Sequence, residues 1–202
     1  MNLKVGVIDI NMGNINSVIN ALSTIGANVE LVSDPEKLKS YDAVIFPGVG
    51  AFPEAMKRLK DSRFDSSIVE FCKSGKIFVG ICLGMQLLFD WSDELEGCAG
   101  LGVIPGKVEK IPRKSGFSIP HMGWNDITST KDSFNDESGD YYFVHSYICT
   151  PKNREDILFE CTCSTTFCAG IKSTENIFGF QFHPEKSQSM GLNLLKRVLN
   201  NA

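Results

Sequence analysis

The stretch GICLGMQLLFD at residues 80–90 sets a cysteine, Cys82, between two glycines where an apolar run gives way to a helix-like pattern. A nucleophile on a sharp strand-to-helix turn sits in strained backbone with no room for side chains on its neighbours, and G-x-C-x-G meets that demand. A helix beginning beyond the cysteine would add free N–H groups and a dipole that stabilise a thiolate and any oxyanion formed beside it. A thiol that attacks an amide also needs a base to take its proton and return it to the leaving amine, and a third group to orient that base. Three histidines are available, at 121, 145 and 183. His183 lies in GFQFHPEKS, past an alternating strand, with Glu185 two residues on. At a strand end, His-x-Glu can present imidazole and carboxylate side by side, the carboxylate fixing the tautomer. Plainer readings fit each piece alone: Cys82 as a small buried hydrophobe, His183 and Glu185 as a solvated loop pair. His145, inside the aromatic run YYFVHSY, reads as a structurally satisfied imidazole rather than the base.

The elements that must hold these residues follow an alternating pattern. A strand is predicted over 5–10, then a helix through Val18, Ile19, Leu22 and Ile25 that stops at Gly26. Strands at 29–33 and 43–48, helices near 53–60 and 65–74, a strand at 76–81 and a helix after Cys82 complete the first half. Such alternation predicts parallel strands with helices on both faces. From about residue 98 the strands shorten and turns multiply, a more antiparallel half sharing the same core. The class is therefore α/β, with a central mixed, mostly parallel sheet flanked by helices. Residues 128–140 read as a polar surface loop, and GLNLLKRVLNN as a closing amphipathic helix.

Length and composition bound the rest. With 202 residues, 43% hydrophobic and 22% charged, a single domain over 1–202 is expected. The net charge of -4 and the lack of any basic run argue against nucleic acid and membrane surfaces as partners. No signal-like segment and no uninterrupted apolar run near ~20 residues is present, so a cytoplasmic protein is expected. Seven cysteines are an odd, scattered set, which predicts reduced thiols. Cys161 and Cys163 form a C-x-C without a second pair or a nearby histidine, so neither a metal nor another cofactor is expected.

Taken in order, VGVIDINMGNINSV, PGVGAF, GICLGMQLLFD, GLGVIPGKV, PHMGWN, YFVHSY and FGFQFHPEKSQSMGLNLLKRVL resemble the class I glutamine amidotransferases. Within them the likeness is to the glutaminase subunits of imidazole glycerol phosphate synthases, and it spans essentially the whole chain. The resemblance implies the class I glutamine amidotransferase fold and hydrolysis of the glutamine side-chain amide by a Cys-His-Glu triad. By similarity Cys82 forms a glutamyl thioester, His183 is base and then acid, and Glu185 orients His183. The oxyanion hole combines the N–H of Leu83 with one from the PGVG loop at Val49 or Gly50, a loop whose rotation would act as a switch. Glutamine contacts are implied at Gly50, Gln86, Glu94, Ser146 and Tyr147; Gln86 lies one helical turn beyond Cys82, which agrees with that placement.

The same resemblance implies a heterodimer with a (β/α)8 barrel synthase that receives the ammonia through a channel and makes imidazole glycerol phosphate in histidine biosynthesis. The docking face is expected at Asn11, Asn14, Met122, Trp124, Tyr142 and Lys186, with Trp124 on a short exposed turn. Two sites depart from the family pattern: Ile10 and Asn11 stand where relatives usually carry Tyr-Gly, as do Cys163 and Ser164. A paralogous glutaminase feeding another synthase, as in surface-sugar biosynthesis, is the alternative these departures leave open. A catalytically idle scaffold and a cysteine peptidase of the same fold are further alternatives.

Overall fold

Valine, isoleucine and phenylalanine fill consecutive positions of the early strands, and residues facing either way are buried, as in the central strands of a parallel sheet covered on both sides. The computed structural model describes residues 3–200. Its first half runs β1 (Lys4–Ile8), α1 (Ile15–Thr24), β2 (Asn28–Val32), β3 (Ala43–Gly48), α2 (Phe52–Ser62), α3 (Phe64–Lys73) and β4 (Ile77–Cys82). Gly26 and Gly75, with φ of 83° and 80°, end α1 and α3 in the left-handed conformation that glycine adopts freely. There follow α4 (Leu83–Gln86), β5 (Phe89–Ser92), β6 (Cys98–Ala99), β7 (Ile104–Lys110), β8 (His121–Ser129), β9 (Gly139–His145) and β10 (Tyr147–Pro151). The chain closes with β11 (Ile157–Thr162), β12 (Thr166–Ser173), β13 (Ile177–Phe180) and α5 (Gln188–Leu199).

All of these strands join one mixed sheet. Its main path is β2-β1-β3-β4-β13-β12-β10-β7-β5-β6, with β11, β8 and β9 branching from β12. The four contacts from β2 to β13 along the path are parallel, and those of β8 to β12 are antiparallel, as the change of texture near residue 98 predicted. β4 lies between β3 and β13, so the chain leaving its C-terminal end emerges beside the ends of both neighbours. That end is where an open α/β sheet places its ligands. Among the described residues no helix is long and apolar enough to cross a membrane.

Three local expectations are corrected. The helix after Cys82 is a single turn, because residues 83–89 are buried on every side rather than along one stripe. The carbonyls of Leu87, Leu88 and Phe89 are taken by amides of residues 101–104 instead of continuing a helix. Residues 128–140 are not a plain loop: Thr128 and Ser129 extend β8, and Asp132–Glu137 forms a 3-10 turn. Phe134 from that turn is buried against Phe159 and Phe178, and Arg197 of α5 lies over its ring. Trp124 belongs to β8, not to a turn, and faces Tyr142 directly across the β8–β9 ladder.

Candidate active site

Cys82 is the last residue of β4 and has φ of 53°, a conformation that costs a side-chain-bearing residue free energy unless its surroundings hold it there. The surroundings do so through the two glycines. A Cβ at Gly84 would meet the Phe46 carbonyl oxygen at 1.8 Å, and one at Gly80 would meet the Gly84 carbonyl oxygen at 2.5 Å. The strand, the turn and β3 are therefore in backbone contact around the thiol. Leu83 opens α4, and the first N–H groups of any helix have no partner within it, so its donor is available beside Cys82. One turn carries little aligned dipole, so the individual N–H groups, rather than a macrodipole, are what α4 supplies.

His183 and Glu185 follow β13, the strand next to β4, and both side chains are 2% exposed. His183 Nδ1 and Glu185 Oε1 are 2.8 Å apart. A carboxylate only accepts, so Nδ1 carries the proton and Nε2, without a hydrogen-bond partner among the described residues, is left for the thiol. Burial pulls the His183 pKa down, but Cys82 and Glu185 beside the ring outweigh it and push the value up to about 9. Sγ and Nε2 are neighbours whose geometry falls short of a hydrogen bond, a looseness common in catalytic pairs without substrate. Sγ itself lies 3.8 Å from the Val144 carbonyl and 3.7 Å from Gln181 Nε2.

A cavity of about 320 Å³ opens over the thiol, lined by Val49, Gly50, Cys82, Leu83, Gln86, Glu94, Pro120, Val144, His145, Ser146 and Tyr147. Every residue expected to contact glutamine is in that set. Glu94, which has Asp93 and Glu96 close by in sequence, is held by the Phe52 N–H, which donates to Oε2 at 2.8 Å. The Tyr147 hydroxyl has its pKa raised by burial and by the Glu94 charge, so carboxylate and phenol lie near one another. That end of the cavity suits an ammonium group. A larger hollow of about 450 Å³ between the 35–40 segment and α3 is lined by neither cysteine nor histidine, so size alone does not mark the site.

The PGVG loop is built differently. Gly50 has φ of 115°, which only glycine adopts readily, and Val49 is 43% exposed. The Val49 N–H already donates, over a long 3.4 Å, to the Met12 carbonyl. In this orientation it offers nothing to an oxyanion above Cys82.

Of the residues expected to dock a partner, Met122 and Trp124 are 62% and 45% exposed and project from alternate positions of β8. The Trp124 and Tyr142 rings meet edge-on at 6.0 Å, and Lys186 Nζ lies 5.8 Å over Tyr142. Tyr142 is tied to the His183 segment, accepting the His183 N–H at 2.9 Å and donating its own N–H to Ser187 Oγ at 3.0 Å. Asn11 and Asn14 are exposed in the loop before α1 that backs PGVG. Asn11, at a family glycine position, has φ of 58°, which asparagine tolerates. Ile10 turns into the core. Cys163 and Ser164 sit at the hairpin between β11 and β12, where Lys114 reaches the Ser164 carbonyl.

His145 is satisfied as expected. Its Nδ1 donates to the Tyr147 carbonyl at 2.8 Å and its Nε2 pairs with His121 Nδ1 at 2.8 Å. Burial pulls its pKa down to about 3, which disqualifies it as a base that must take up a proton near neutrality. Gln181, part of GFQFHPEKS but given no role from sequence, is the polar side chain that reasoning missed; its only signal was a glutamine in the otherwise apolar run IFGFQF.

Residues 6–201 match the family model for glutamine amidotransferase class-I. The chain belongs to the class I glutamine amidotransferases. Among curated members of this family it is 44% identical over 199 residues to the imidazole glycerol phosphate synthase subunit HisH of Wolinella succinogenes, covering 95% of this chain and 97% of that one. It is 42% identical over 200 residues to the Bacillus cereus subunit of the same name, with 95% and 92% covered. The Helicobacter hepaticus subunit is 39% identical over 214 residues, with 98% of each chain covered. Among solved structures, a glutamine amidotransferase superposes with a TM-score of 0.77 at 18% identity, covering 98% and 99% of the two chains. A chain in the structure of PurLQS from Thermotoga maritima gives the same score at 19% identity, covering 99% of each. Likeness at that identity speaks for the shared class I fold.

Proposed function

We propose that this chain is the glutaminase subunit of an imidazole glycerol phosphate synthase, a single-domain cytoplasmic protein that releases ammonia from glutamine for a (β/α)8 barrel partner in histidine biosynthesis. The observation that carries the reading is the buried His183–Glu185 pair next to Cys82, whose own side chain lines the 320 Å³ cavity. The Cys82 thiolate attacks the carboxamide carbon of glutamine. The oxyanion that forms is held by the Leu83 N–H and by a second N–H from Val49 or Gly50 after the loop turns. His183, oriented by Glu185, gives its proton to the leaving nitrogen, and ammonia departs from a glutamyl thioester. His183 then takes a proton from water as it attacks the thioester, and glutamate leaves. Glu94 and Gln86 receive the substrate ammonium, and Ser146 and Tyr147 its carboxylate.

Ammonia released into water at neutral pH becomes ammonium and loses its nucleophilicity, which is why the product has to pass directly to an acceptor subunit. Met122, Trp124, Tyr142 and Lys186 supply the docking face, with an exposed aromatic anchor of the kind that dominates interfaces. Asn11 and Asn14 extend it. The relatives named above favour the histidine pathway over a paralogous synthase.

The test is to mix the chain with a barrel synthase and follow glutamine-dependent formation of imidazole glycerol phosphate. Wild-type protein gives product, and Cys82→Ala loses glutamine-dependent turnover by about 10³-fold or more. Full turnover by Cys82→Ala would sink the reading.

A further inference from the structure

Gln181 is fully buried at the end of β13, one residue past the strand and two before His183. Its backbone is spoken for, since its N–H donates to the Ala169 carbonyl at 2.9 Å. Its side-chain amide is placed among groups that leave it one orientation. The Tyr147 carbonyl only accepts, so Gln86 must present its NH2 there, at 3.3 Å. The same Gln86 nitrogen reaches a side-chain atom of Gln181 at 3.0 Å, and that atom must be an acceptor, Oε1. The Gln181 NH2 therefore points the other way, to Cys82 Sγ at 3.7 Å. Flipping it would set NH2 against NH2 at one end and a lone pair against sulfur at the other.

Sulfur thus has two neighbours of opposite preference. The Val144 carbonyl at 3.8 Å accepts from S–H and favours the thiol; an N–H from Gln181 is worth more to the thiolate. We propose that Gln181 is a positioning residue for the Cys82 thiolate, its N–H held on Sγ by Gln86, so that the side chain receiving the substrate also aligns the nucleophile. The inference rests on the reading of Cys82 as the nucleophile.

Gln181→Met keeps length and volume without a donor, and Gln181→Glu keeps shape but only accepts when ionised. The full chain of each is alkylated with iodoacetamide from pH 5 to 10, and modification is followed at the Cys82 peptide by mass spectrometry because six other cysteines are present. Glutamine hydrolysis is measured in the complex with a barrel synthase. The pH of half-maximal alkylation should rise by about one unit for Met and further for Glu, and kcat should fall about 10-fold or more while KM changes several-fold less. Should Gln181→Met not fold, Gln181→Glu and Gln86→Met carry the same alkylation readout, the latter removing the group that orients Gln181. Folded variants with the wild-type alkylation profile and kcat would make Gln181 a core residue only. Cys82→Ala in the same complex separates the two failures. If it still hydrolyses glutamine, the nucleophile assignment falls and takes the inference with it; if it is dead while Gln181 variants behave as wild type, the inference alone falls.

Discussion

The two walls of the cavity that flank the Cys82 thiol are built to opposite specifications. On one side, the β4–α4 corner is closed by backbone contacts: Gly84 lies against the Phe46 carbonyl, Gly80 against Gly84, and residues 77–89 are buried throughout. On the other, the PGVG loop is held at Val49 by one 3.4 Å hydrogen bond to Met12, and the nearest obstacle to a Cβ at Gly50 is the flexible Met12 methyl at 2.7 Å. The corner's strain at Cys82 is fixed by packing on several sides, so the geometry of the thiol's turn is set once the chain folds. The loop's strain sits on a glycine and one weak bond, so its peptide can reorient at small cost. On the proposed function, reactivity belongs to the rigid wall and control to the soft one.

Substitutions on each wall should break that contrast in different ways. The largest effect is expected from Gly84→Ala: a methyl 1.8 Å from a carbonyl forces backbone apart, costing about 3 kcal/mol or more in urea denaturation. Glu185→Gln leaves the fold but removes the anion that orients His183 and helps hold its proton. Its kcat should fall by about 10³-fold, with Cys82 alkylation at neutral pH slowed as well. Gly50→Ala, on the soft wall, should cost only about 1–2 kcal/mol of stability. Glutamine hydrolysis should drop about 10²-fold because the loop can no longer turn a donor inward, while alkylation stays within about 2-fold of wild type. A parallel loss of alkylation would show that the two walls are not independent.

The last contrast is read from the pH dependence of stability, with no residue changed on either wall. His183 has its folded pKa raised to about 9, so the stabilisation from its partners is complete below its ordinary 6.5 and is lost as pH rises through about 9. His145 has its folded pKa lowered to about 3, and the stability of its neutral, buried form is present above 6.5 and is lost as pH falls toward 3. Melting temperature should therefore decline on both sides of neutrality, and His145→Gln should flatten the acid limb. An unchanged acid limb would remove His145 from that role.

Where one period and one punctuation mark dominated, sequence reading sufficed. The parallel half is an example: apolar runs at 43–48 and 76–81, and glycines at 26 and 75, define strands and stops that need no tertiary information. Glycine spacing and His-x-Glu marked Cys82, His183 and Glu185 as candidates, and only the resemblance to class I glutamine amidotransferases over the whole chain set them above the plainer readings. What failed depended on partners distant in sequence. Residues 83–89 have enough leucine for a helix, and only the amides of 101–104, which take their carbonyls, make the helix one turn long. Phe134 is one apolar residue in a polar stretch until Phe159, Phe178 and Arg197 enclose it. Gln181 shows only as one polar residue in an apolar run until Gln86 and Cys82 stand beside it.

The contrast between the walls is tested most directly by comparing two reactions of the same thiol, in the free chain and in the complex with its proposed barrel partner loaded with nucleotide. Alkylation by iodoacetamide is a displacement that forms no oxyanion, whereas glutamine hydrolysis needs the hole complete. A preformed corner with a switched loop predicts that docking raises hydrolysis by about 10²-fold or more while the alkylation rate of Cys82 stays nearly constant. Alkylation that rises in step with hydrolysis would contradict it, because the partner would then be assembling the nucleophile itself.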